Sequence, residues 1–300
     1  MNKIGLHMGY WWGSEAGQDV FRMLDLTSRA GLEVFEINPA WFLRMTGAEC
    51  RDFRRRAEDY GLTVTLNGGF KLEGDISADS EATRRAGIEF CVDVLNRAPE
   101  LGAATWSGLI YSAWTRMPRP ESVVEEEKAR AREFSKQSLG EILPVAERAG
   151  VDYCFEVVNR YEQFLFNTAA EAVAFAEEVG SPRAKVHLDS FHMNIEEDDM
   201  FDAVALAGRS GRLAHFHVSE SNRRVPGLGP TNINWPKLGK ALRSAGYRGA
   251  VVMEPFVNPG AVNAKGTRTW RDLSGGADLD RLVDDVRRGG EFLRGIMAAA

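Results

Sequence analysis

Hydrophobic residues in this chain of 300 residues occur as short apolar runs that alternate with longer amphipathic stretches. The short runs predict strands that are buried on both faces, because the strands of a covered parallel sheet are apolar without alternation. The longer stretches repeat their apolar residues with a period near 3.6 residues, which is typical of helices with one buried face. We predict strands at residues 4–8, 33–37, 62–66, 104–110, 152–158, 185–188, 213–218 and 250–253, and helices at about 20–30, 47–60, 79–101, 120–150, 168–179, 198–208, 235–245 and 278–297.

Eight strand–helix units follow one another without a linker or a change in composition. Such units pair their strands in parallel through right-handed crossovers, and eight of them close most simply into a (β/α)8 barrel. We therefore predict an α/β fold, a single TIM-barrel domain over residues 1–300. The alternative is an open doubly wound sheet, which normally carries a glycine-rich phosphate loop after its first strand. Residues 9–13, Gly-Tyr-Trp-Trp-Gly, do not have that pattern.

Composition and charge narrow the classes of partner. The formal net charge is −6 without a basic tract, so neither a nucleic acid nor an anionic membrane surface is expected to bind. No apolar run reaches the roughly eighteen residues of a membrane span, and residues 1–4 lead into a strand without a signal-peptide core. Cys50, Cys91 and Cys154 are widely spaced, which indicates free thiols in a reducing compartment. We expect a cytoplasmic protein.

Four of the predicted strands end on a side chain that can bind a metal ion. Glu156, Asp189, His217 and Glu254 each stand at the carboxyl end of an apolar run. In a barrel these ends meet at one mouth, so the four groups should converge. A buried carboxylate needs a compensating cation, and three carboxylates with one imidazole suit Mn²⁺, Mg²⁺ or Co²⁺ better than a structural zinc ion. The alternative for each residue is a helix cap or an ion pair with arginine.

The alternation of side chains along a strand indicates which of the histidines near these strand ends reaches the mouth of the barrel. His215 and His217 share one face of their strand, and only His217, nearer the end, should reach the mouth. We expect His215 one layer deeper and His187 in the packing of the barrel interior. His7, near the end of the first strand, is a candidate for the wall of the pocket.

Several motifs around these residues carry a resemblance to a known family. They are Glu-Val-Val-Asn-Arg-Tyr-Glu at 156–162, Asp-Ser-Phe-His-Met-Asn-Ile-Glu-Glu at 189–197, His-Val-Ser-Glu-Ser-Asn-Arg-Arg-Val-Pro-Gly at 217–227, Val-Met-Glu-Pro-Phe at 252–256 and Ser-Gly-Leu-Ile-Tyr-Ser-Ala-Trp at 107–114. Together they resemble the ketose 3-epimerases, the D-tagatose and D-psicose (D-allulose) 3-epimerase group of the xylose-isomerase-like TIM barrels. The resemblance is strongest over residues 100–257 and weaker in the first hundred residues. It implies an isomerase that inverts C3 of a free ketohexose or ketopentose of the D-tagatose, D-psicose/D-fructose or L-ribulose type.

The resemblance also implies roles for the four strand-end residues. Glu156, Asp189, His217 and Glu254 match the family's metal ligands, which usually hold Mn²⁺ and tolerate Co²⁺ or Mg²⁺. Glu156 and Glu254 also match its acid/base pair, one on each face of C3. The chemistry agrees, because the C3 proton beside a ketone is weakly acidic and a cation near O2 and O3 stabilises the cis-enediolate left by its removal. Inversion then requires a proton to return from the opposite face, hence two carboxylates.

Contacts with the sugar are implied in the same way. Glu162, His192 and Arg223 match residues that bind the O1, O2 and O3 end of the ketose. Further candidates for contact with the substrate are His7, Gly108 and Trp114. The only small-molecule partner implied is a free ketose, and because family members are often dimers or tetramers, a homo-oligomer is expected.

The far end of the sugar, C4 to C6, is where this sequence departs from the forms typical of D-psicose enzymes. The departures are at residues 67–69 and at the Trp11-Trp12 pair. An apolar wall at that end is a hypothesis that draws on Tyr10, Trp11, Trp12, Trp41, Phe42 and Trp114. The mouth loops carry no basic cluster beyond Arg223-Arg224, which favours a free sugar over a sugar phosphate.

Three other functions fit parts of this pattern. A different sugar enzyme on the same architecture, such as an aldose–ketose isomerase, a hydroxypyruvate isomerase or an inosose dehydratase, would keep the metal carboxylates. An endonuclease IV-like nuclease would need many histidines, and this acidic chain has five. A non-catalytic sugar-binding barrel has no use for two opposed carboxylates at C3.

Overall fold

The eight apolar runs of the sequence form eight parallel strands, and the computed structural model describes residues 2–299. The strands are β1 (Ile4–His7), β2 (Val34–Ile37), β3 (Thr63–Asn67), β4 (Thr105–Gly108), β5 (Asp152–Glu156), β6 (Ala184–Asp189), β7 (Leu213–Val218) and β8 (Val251–Met253). Each strand pairs with its successor, and β8 pairs with β1 to close the barrel. The predicted (β/α)8 barrel is confirmed, and the open doubly wound sheet was the wrong alternative.

Helices connect the strands along the outside of the barrel and in the loops at its mouth. They are α1 (Val20–Arg29), α2 (Pro39–Phe42), α3 (Gly47–Asp59), α4 (Glu81–Arg97), α5 (Val124–Ala149), α6 (Ala169–Glu178), α7 (Ser190–Glu196), α8 (Met200–Arg209), α9 (Trp235–Ser244), α10 (Ala264–Thr267) and α11 (Leu279–Ala298). None of these helices, over the described residues, combines the length and apolar character needed to span a bilayer.

The helix boundaries differ from the prediction where loops or turns intervene. The short helices α2, α7 and α10 follow the carboxyl ends of β2, β6 and β8, and were not predicted because so few residues contain no full amphipathic repeat. Helix α5 begins at Val124 rather than at residue 120, because residues 119–122 form a turn in which the Ser122 N–H donates to the Arg119 carbonyl. Helix α4 ends at Arg97, and a 3₁₀ turn (Ala98–Leu101) follows it.

Aromatic packing between the strands and helices fixes which way β5 faces. Tyr153 and Phe155 are fully buried, and Tyr153 packs edge-on against Trp106 of β4 with the ring centroids 5.2 Å apart. Fully burying such side chains contributes about 1.5–3 kcal/mol each to folding. Because side chains alternate along a strand, Glu156 then faces the interior of the barrel.

Strand register brings the polar residues of the interior to neighbouring levels. Asp189 of β6 pairs with His217 of β7, and Glu156 of β5 pairs with His187 of β6. On the other side of the barrel, Glu36 of β2 pairs with His7 of β1 and with Thr65 of β3. The carboxyl end of the barrel is therefore polar although its walls are apolar.

Candidate active site

Four strand-end residues converge at the mouth of the barrel. The cluster consists of Glu156, Asp189, His217 and Glu254. One carboxylate oxygen or ring nitrogen of each residue lies within 4.8 Å of those of the other three. Glu156, Asp189 and His217 stand at or near the ends of β5, β6 and β7, and Glu254 directly follows β8. All four side chains are buried. The structure thus brings together the four residues that were expected to meet.

Arg223 contributes a positive charge to this cluster. Its Nη1 atom donates to Asp189 Oδ2 at 2.7 Å and to Glu254 Oε2 at 2.9 Å. Arg223 has a φ of +64°, a conformation that costs a non-glycine residue about 1–2 kcal/mol. The guanidinium also lies 4.0 Å over the ring of Phe191. These contacts hold Arg223 in its strained turn, with its charge directed into the site.

The two glutamates have carboxyl pKa values displaced in opposite directions. Burial raises the pKa of Glu156 well above its ordinary value, and the negative charge of Glu254 adds to this effect. Burial also acts to raise the pKa of Glu254, but His217 and Arg223 outweigh it and lower the pKa to about 2. The two carboxyl groups therefore differ in their affinity for a proton, and Glu156 holds one more tightly than Glu254. Carboxyl groups with opposed pKa shifts are a common basis for paired acid and base roles.

His217 has one nitrogen engaged and one free. Its Nε2 atom lies 2.6 Å from Glu36 Oε2, whereas Nδ1 is buried, has no hydrogen-bond partner among the described residues, and lies 3.5 Å from Glu254 Oε2. A buried nitrogen without a partner is unfavourable, and one that faces three carboxylates suits a metal ion. The charges agree, because metal ligands are deprotonated, and with Glu156 ionised and His217 neutral the single charge of Arg223 leaves two of the three carboxylate charges uncompensated. The donor set therefore fits a divalent cation.

Glu36 is a site residue that the sequence analysis missed. It is fully buried on β2, and its other oxygen, Oε1, lies 2.8 Å from His215 Nε2 and accepts a hydrogen bond from Thr65 Oγ1 at 2.9 Å. The available signal was a lone glutamate in the apolar run Val-Phe-Glu-Ile, which needs a buried partner. His215 lies in the deeper layer, as expected, and the ring of His187 packs 4.1 Å from that of His217.

A cavity of about 350 Å³ opens above the cluster, and most of the residues expected to contact the sugar line it. These residues are His7, Trp114, Glu156, Glu162, His192, Arg223 and Glu254. Gly108, another candidate for such contact, does not line the cavity, although the next residue, Leu109, does. Gly108 has a φ of +129°, and an added Cβ would lie 2.8 Å from the backbone nitrogen of Gly68. Its glycine is thus explained by the close approach of two backbones.

One wall of the cavity is a hydrogen-bonded chain of polar side chains. The indole Nε1 of Trp114 donates to Glu162 Oε2 at 2.9 Å, and Asn159 Nδ2 donates to Glu162 Oε1 at 3.2 Å. The backbone N–H of Asn159 donates to His192 Nδ1 at 3.1 Å. Burial lowers the pKa of His192, and its Nε2 atom lies 3.1 Å from Arg223 Nη2. This wall presents donors and an acceptor in fixed positions.

The apolar wall is smaller than the sequence hypothesis proposed. Of the six aromatic residues considered, only Trp12 and Trp114 line the cavity. Tyr10 and Trp11 belong to the buried core, where the Tyr10 hydroxyl donates to the Leu282 carbonyl and the Trp11 indole to the Thr27 hydroxyl. Trp41 and Phe42 also lie outside the lining, whereas Phe70 and Phe256, which were not considered, are part of it. The sequence shows which loops contain aromatic residues but not the direction in which each ring points.

Comparison with known proteins defines the class and then the family. Residues 24–273 match the family described as Xylose isomerase-like TIM barrel. D-psicose 3-epimerase of Agrobacterium fabrum is 36% identical over 298 residues, covering 98% of this chain and 99% of that protein. L-ribulose 3-epimerase of Mesorhizobium japonicum is 32% identical, covering 91% and 88%. A crystal structure of D-psicose 3-epimerase in the presence of D-fructose matches with a TM-score of 0.90 at 35% identity, covering 99% of this chain and 100% of that chain.

The chain therefore belongs to the ketose 3-epimerase group of the xylose isomerase-like TIM-barrel family. The resemblance inferred from the five motifs is confirmed, and so is the expected enzyme class, a carbohydrate epimerase. The match spans nearly the full chain, including the first hundred residues, where the motifs were weaker.

Proposed function

We propose that this protein is a metal-dependent ketose 3-epimerase that inverts C3 of a free ketohexose or ketopentose. The observation that carries the proposal is the meeting of two glutamates from different strands, Glu156 and Glu254, within one cluster that also offers metal ligands. Relatives named D-psicose 3-epimerase and L-ribulose 3-epimerase support the substrate class.

A divalent cation would be held by Glu156, Asp189, Glu254 and the free Nδ1 of His217. Three carboxylates and one imidazole favour Mn²⁺, with Co²⁺ or Mg²⁺ as alternatives. When bound, the cation supplies positive charge that stabilises the enediolate form of the sugar. This assignment is supported by the unpartnered buried nitrogen and by the negative charge that Arg223 leaves uncompensated.

Glu156 and Glu254 would move the proton at C3. In one direction Glu254 removes the C3 proton, and Glu156 delivers a proton to the opposite face. The reverse reaction exchanges these roles, as inversion by two bases requires. The positions of the two glutamates at the ends of different strands, β5 and β8, but within one cluster support this pair of roles.

The remaining polar residues of the cavity would orient the ketose. The Arg223 guanidinium donates at the reacting end and lies 3.1 Å from His192 Nε2, which suits contact of both residues with a carbonyl or alkoxide oxygen. Glu162, held by Trp114 and Asn159, would accept from a sugar hydroxyl. His7 is fixed by the Gly9 N–H at its Nδ1 atom and would contribute to the opposite wall.

A free sugar fits the cavity better than a sugar phosphate. The basic residues in the lining are Lys71 and Arg223, and Arg223 is already paired with two carboxylates. A phosphate is normally bound by several donors or by an unpaired arginine. A cavity of about 350 Å³ is near the lower end of ligand-site volumes, as expected for a monosaccharide.

Deuterium incorporation tests the reaction directly. The Mn²⁺-loaded protein would be incubated in D₂O with D-psicose, D-fructose, D-tagatose or L-ribulose, and each product would be analysed by NMR. We expect deuterium at C3 together with the C3 epimer, loss of both on chelation with EDTA, and recovery on return of Mn²⁺.

Other labelling patterns would contradict the proposal. Deuterium at C1 with formation of an aldose would indicate an aldose–ketose isomerase instead. No exchange on any of these ketoses, with Mn²⁺ demonstrably bound, would reject the epimerase assignment. The sugar with the highest kcat/KM would identify the preferred substrate.

We also propose a homo-oligomer in the cytoplasm. Large apolar side chains are exposed around the mouth, with Tyr161 at 59%, Val262 at 67% and Trp270 at 70% exposure, which supports association with a second copy. The three cysteines are free and buried, which fits a reducing compartment.

A further inference from the structure

We infer that Glu36 is the positioning residue of the metal centre: it fixes His217 so that Nδ1, rather than Nε2, faces the three carboxylates. This inference rests on the proposed metal-dependent function and extends it to a residue in the opposite half of the barrel. Glu36 itself does not line the cavity, so its effect on the reaction would pass through His217.

The geometry leaves His217 one orientation. Its Nε2 atom lies 2.6 Å from Glu36 Oε2, and both side chains are fully buried, so water does not compete for this contact. A metal-binding imidazole is neutral, with one N–H and one lone pair. If Nε2 donates its proton to Glu36, the lone pair is on Nδ1, the atom that lies 3.5 Å from Glu254 Oε2. A metal ligand of this kind is normally held by a hydrogen bond at its other nitrogen.

Glu36 is itself held in place from the far side. Its second oxygen lies 2.8 Å from His215 Nε2 and accepts from the Thr65 hydroxyl at 2.9 Å. The ring of His187 packs against those of His215 and His217, with centroids 4.8 Å and 4.1 Å away. The carboxylate therefore cannot rotate away from His217 without losing both of its other contacts.

This arrangement explains why a glutamate occupies the interior of an apolar strand. An unpaired carboxylate at this depth would cost several kcal/mol, and two imidazoles and a hydroxyl offset that cost. Compensation of the Glu36 charge by His215, His217 and Thr65 would not by itself require the free nitrogen of His217 to face the three carboxylates of the cluster. The layer thus connects β2 to the ligand on β7.

The test compares Glu36→Gln with a matched control, Thr65→Val. Both substitutions remove a hydrogen bond from the same buried network and keep the side-chain shape, but only Glu36→Gln alters the partner of His217. The affinity for Mn²⁺ would be measured from the electron paramagnetic resonance signal of the free ion. We expect Glu36→Gln to raise the Kd by about 10- to 100-fold, whereas Thr65→Val leaves it close to that of the wild type.

A second measurement separates orientation from loss of stability. In the Mg²⁺-loaded wild type and in Thr65→Val, the ¹⁵N spectrum of the histidines should show a His217 Nε2–H proton hydrogen-bonded to a carboxylate. In Glu36→Gln this downfield proton should be lost or shifted. Melting curves of the metal-free variants would give the loss of thermal stability that each of the two substitutions causes.

Glu36→Asp serves if Glu36→Gln does not fold. It keeps the charge in the layer but withdraws the carboxylate by one carbon–carbon bond, so metal affinity should fall in the same direction. An unchanged Kd in a folded Glu36 variant, with a wild type that binds Mn²⁺, would overturn the role of Glu36 alone. A wild type that binds no divalent cation would overturn the proposed metal-dependent function, and with it any ligand for Glu36 to position.

Discussion

The two halves of the barrel contribute different chemistry to one cavity. From β1–β4 and the loops that follow them, the lining is mostly neutral, with Trp12, Asn67, Phe70 and Leu109 among its residues. The charged lining residues other than Lys71 come from β5–β8 and their loops; they are Glu156, Glu162, Arg223 and Glu254, and His192 lies with them. The N-terminal half therefore shapes the space, and the C-terminal half holds the groups suited to proton transfer.

The division is not complete, and the exception shows how the halves depend on each other. Glu36 lies on β2 but contacts His217 on β7, across the interior of the barrel. A closed barrel allows this, because strands far apart in sequence face one another across its axis. Substitutions in the C-terminal half should therefore change the chemistry, and substitutions in the N-terminal half should change the shape of the cavity or the stability of the protein. Glu36 is the one N-terminal residue that we expect to affect metal binding.

The largest effect is expected from the two glutamates of the C-terminal half. Glu156→Gln and Glu254→Gln should each lower the rate of epimerisation by about 10³-fold, since each removes an acid/base group. With one base left, a variant should still exchange the C3 hydrogen of the epimer whose C3–H faces that base. We therefore expect each variant to incorporate deuterium into only one of the two epimers, and the two variants to differ in which.

This comparison has a control at the same end of the barrel. Glu220 is buried near the end of β7 but lies outside the cavity lining. Its Oε1 atom accepts from the Gly227 N–H and the Trp235 indole, contacts that a glutamine oxygen also satisfies. Glu220→Gln should retain most activity. Equal exchange from both epimers in either single variant, at saturating Mn²⁺, would contradict the two-base assignment.

The sequence predicted the charged cluster of the C-terminal half but not its buried partner in the N-terminal half, and both outcomes have a physical reason. Glu156, Asp189, His217 and Glu254 were identified because each ends an apolar run, and parallel strands in a barrel bring their carboxyl ends together. Glu36 was not, because its partner His217 is 181 positions away and one carboxylate in a strand does not indicate which element it meets.

The remaining errors concern loops. Gly108, at the end of β4, stays a candidate for contact with the sugar, but it does not line the cavity and it lies in close backbone contact with Gly68. Tyr10 and Trp11 were considered for the apolar wall, but both rings pack in the core. Periodicity predicts the buried face of a long helix, whereas the direction of a side chain in a loop depends on tertiary contacts that have no repeating signal.

A stability effect without loss of metal binding is expected in the N-terminal half. Asp75 is buried and accepts from the Ser77 and Ala113 backbone N–H groups and from Arg116 Nη1, which ties two loops together. Asp75→Asn places an amide N–H₂ or a neutral oxygen against Arg116. We expect the free energy of unfolding to fall by about 3 kcal/mol, measured by urea denaturation.

The matched control for Asp75 is a surface aspartate. Asp79 pairs with Arg119 and Arg130, but its side chain is 48% exposed, so Asp79→Asn should cost less than about 1 kcal/mol. The Kd for Mn²⁺ should be unchanged in both variants, because neither residue lies in the cavity. A Kd that rose with Asp75→Asn would show that the N-terminal half supports the metal centre through more than Glu36.

The smallest effect concerns the shape of the cavity and therefore the choice of sugar. Trp12 lines the cavity and packs edge-on against His7, with the ring centroids 5.8 Å apart. Trp12→Ala should change the ratio of kcat/KM for D-psicose to that for L-ribulose by about tenfold, the scale on which apolar walls discriminate. Trp41→Ala, which removes an indole outside the lining, should leave the ratio unchanged. If Trp12→Ala instead lowered kcat equally for both sugars, the N-terminal wall would take part in the chemistry, and the division between the halves would be wrong.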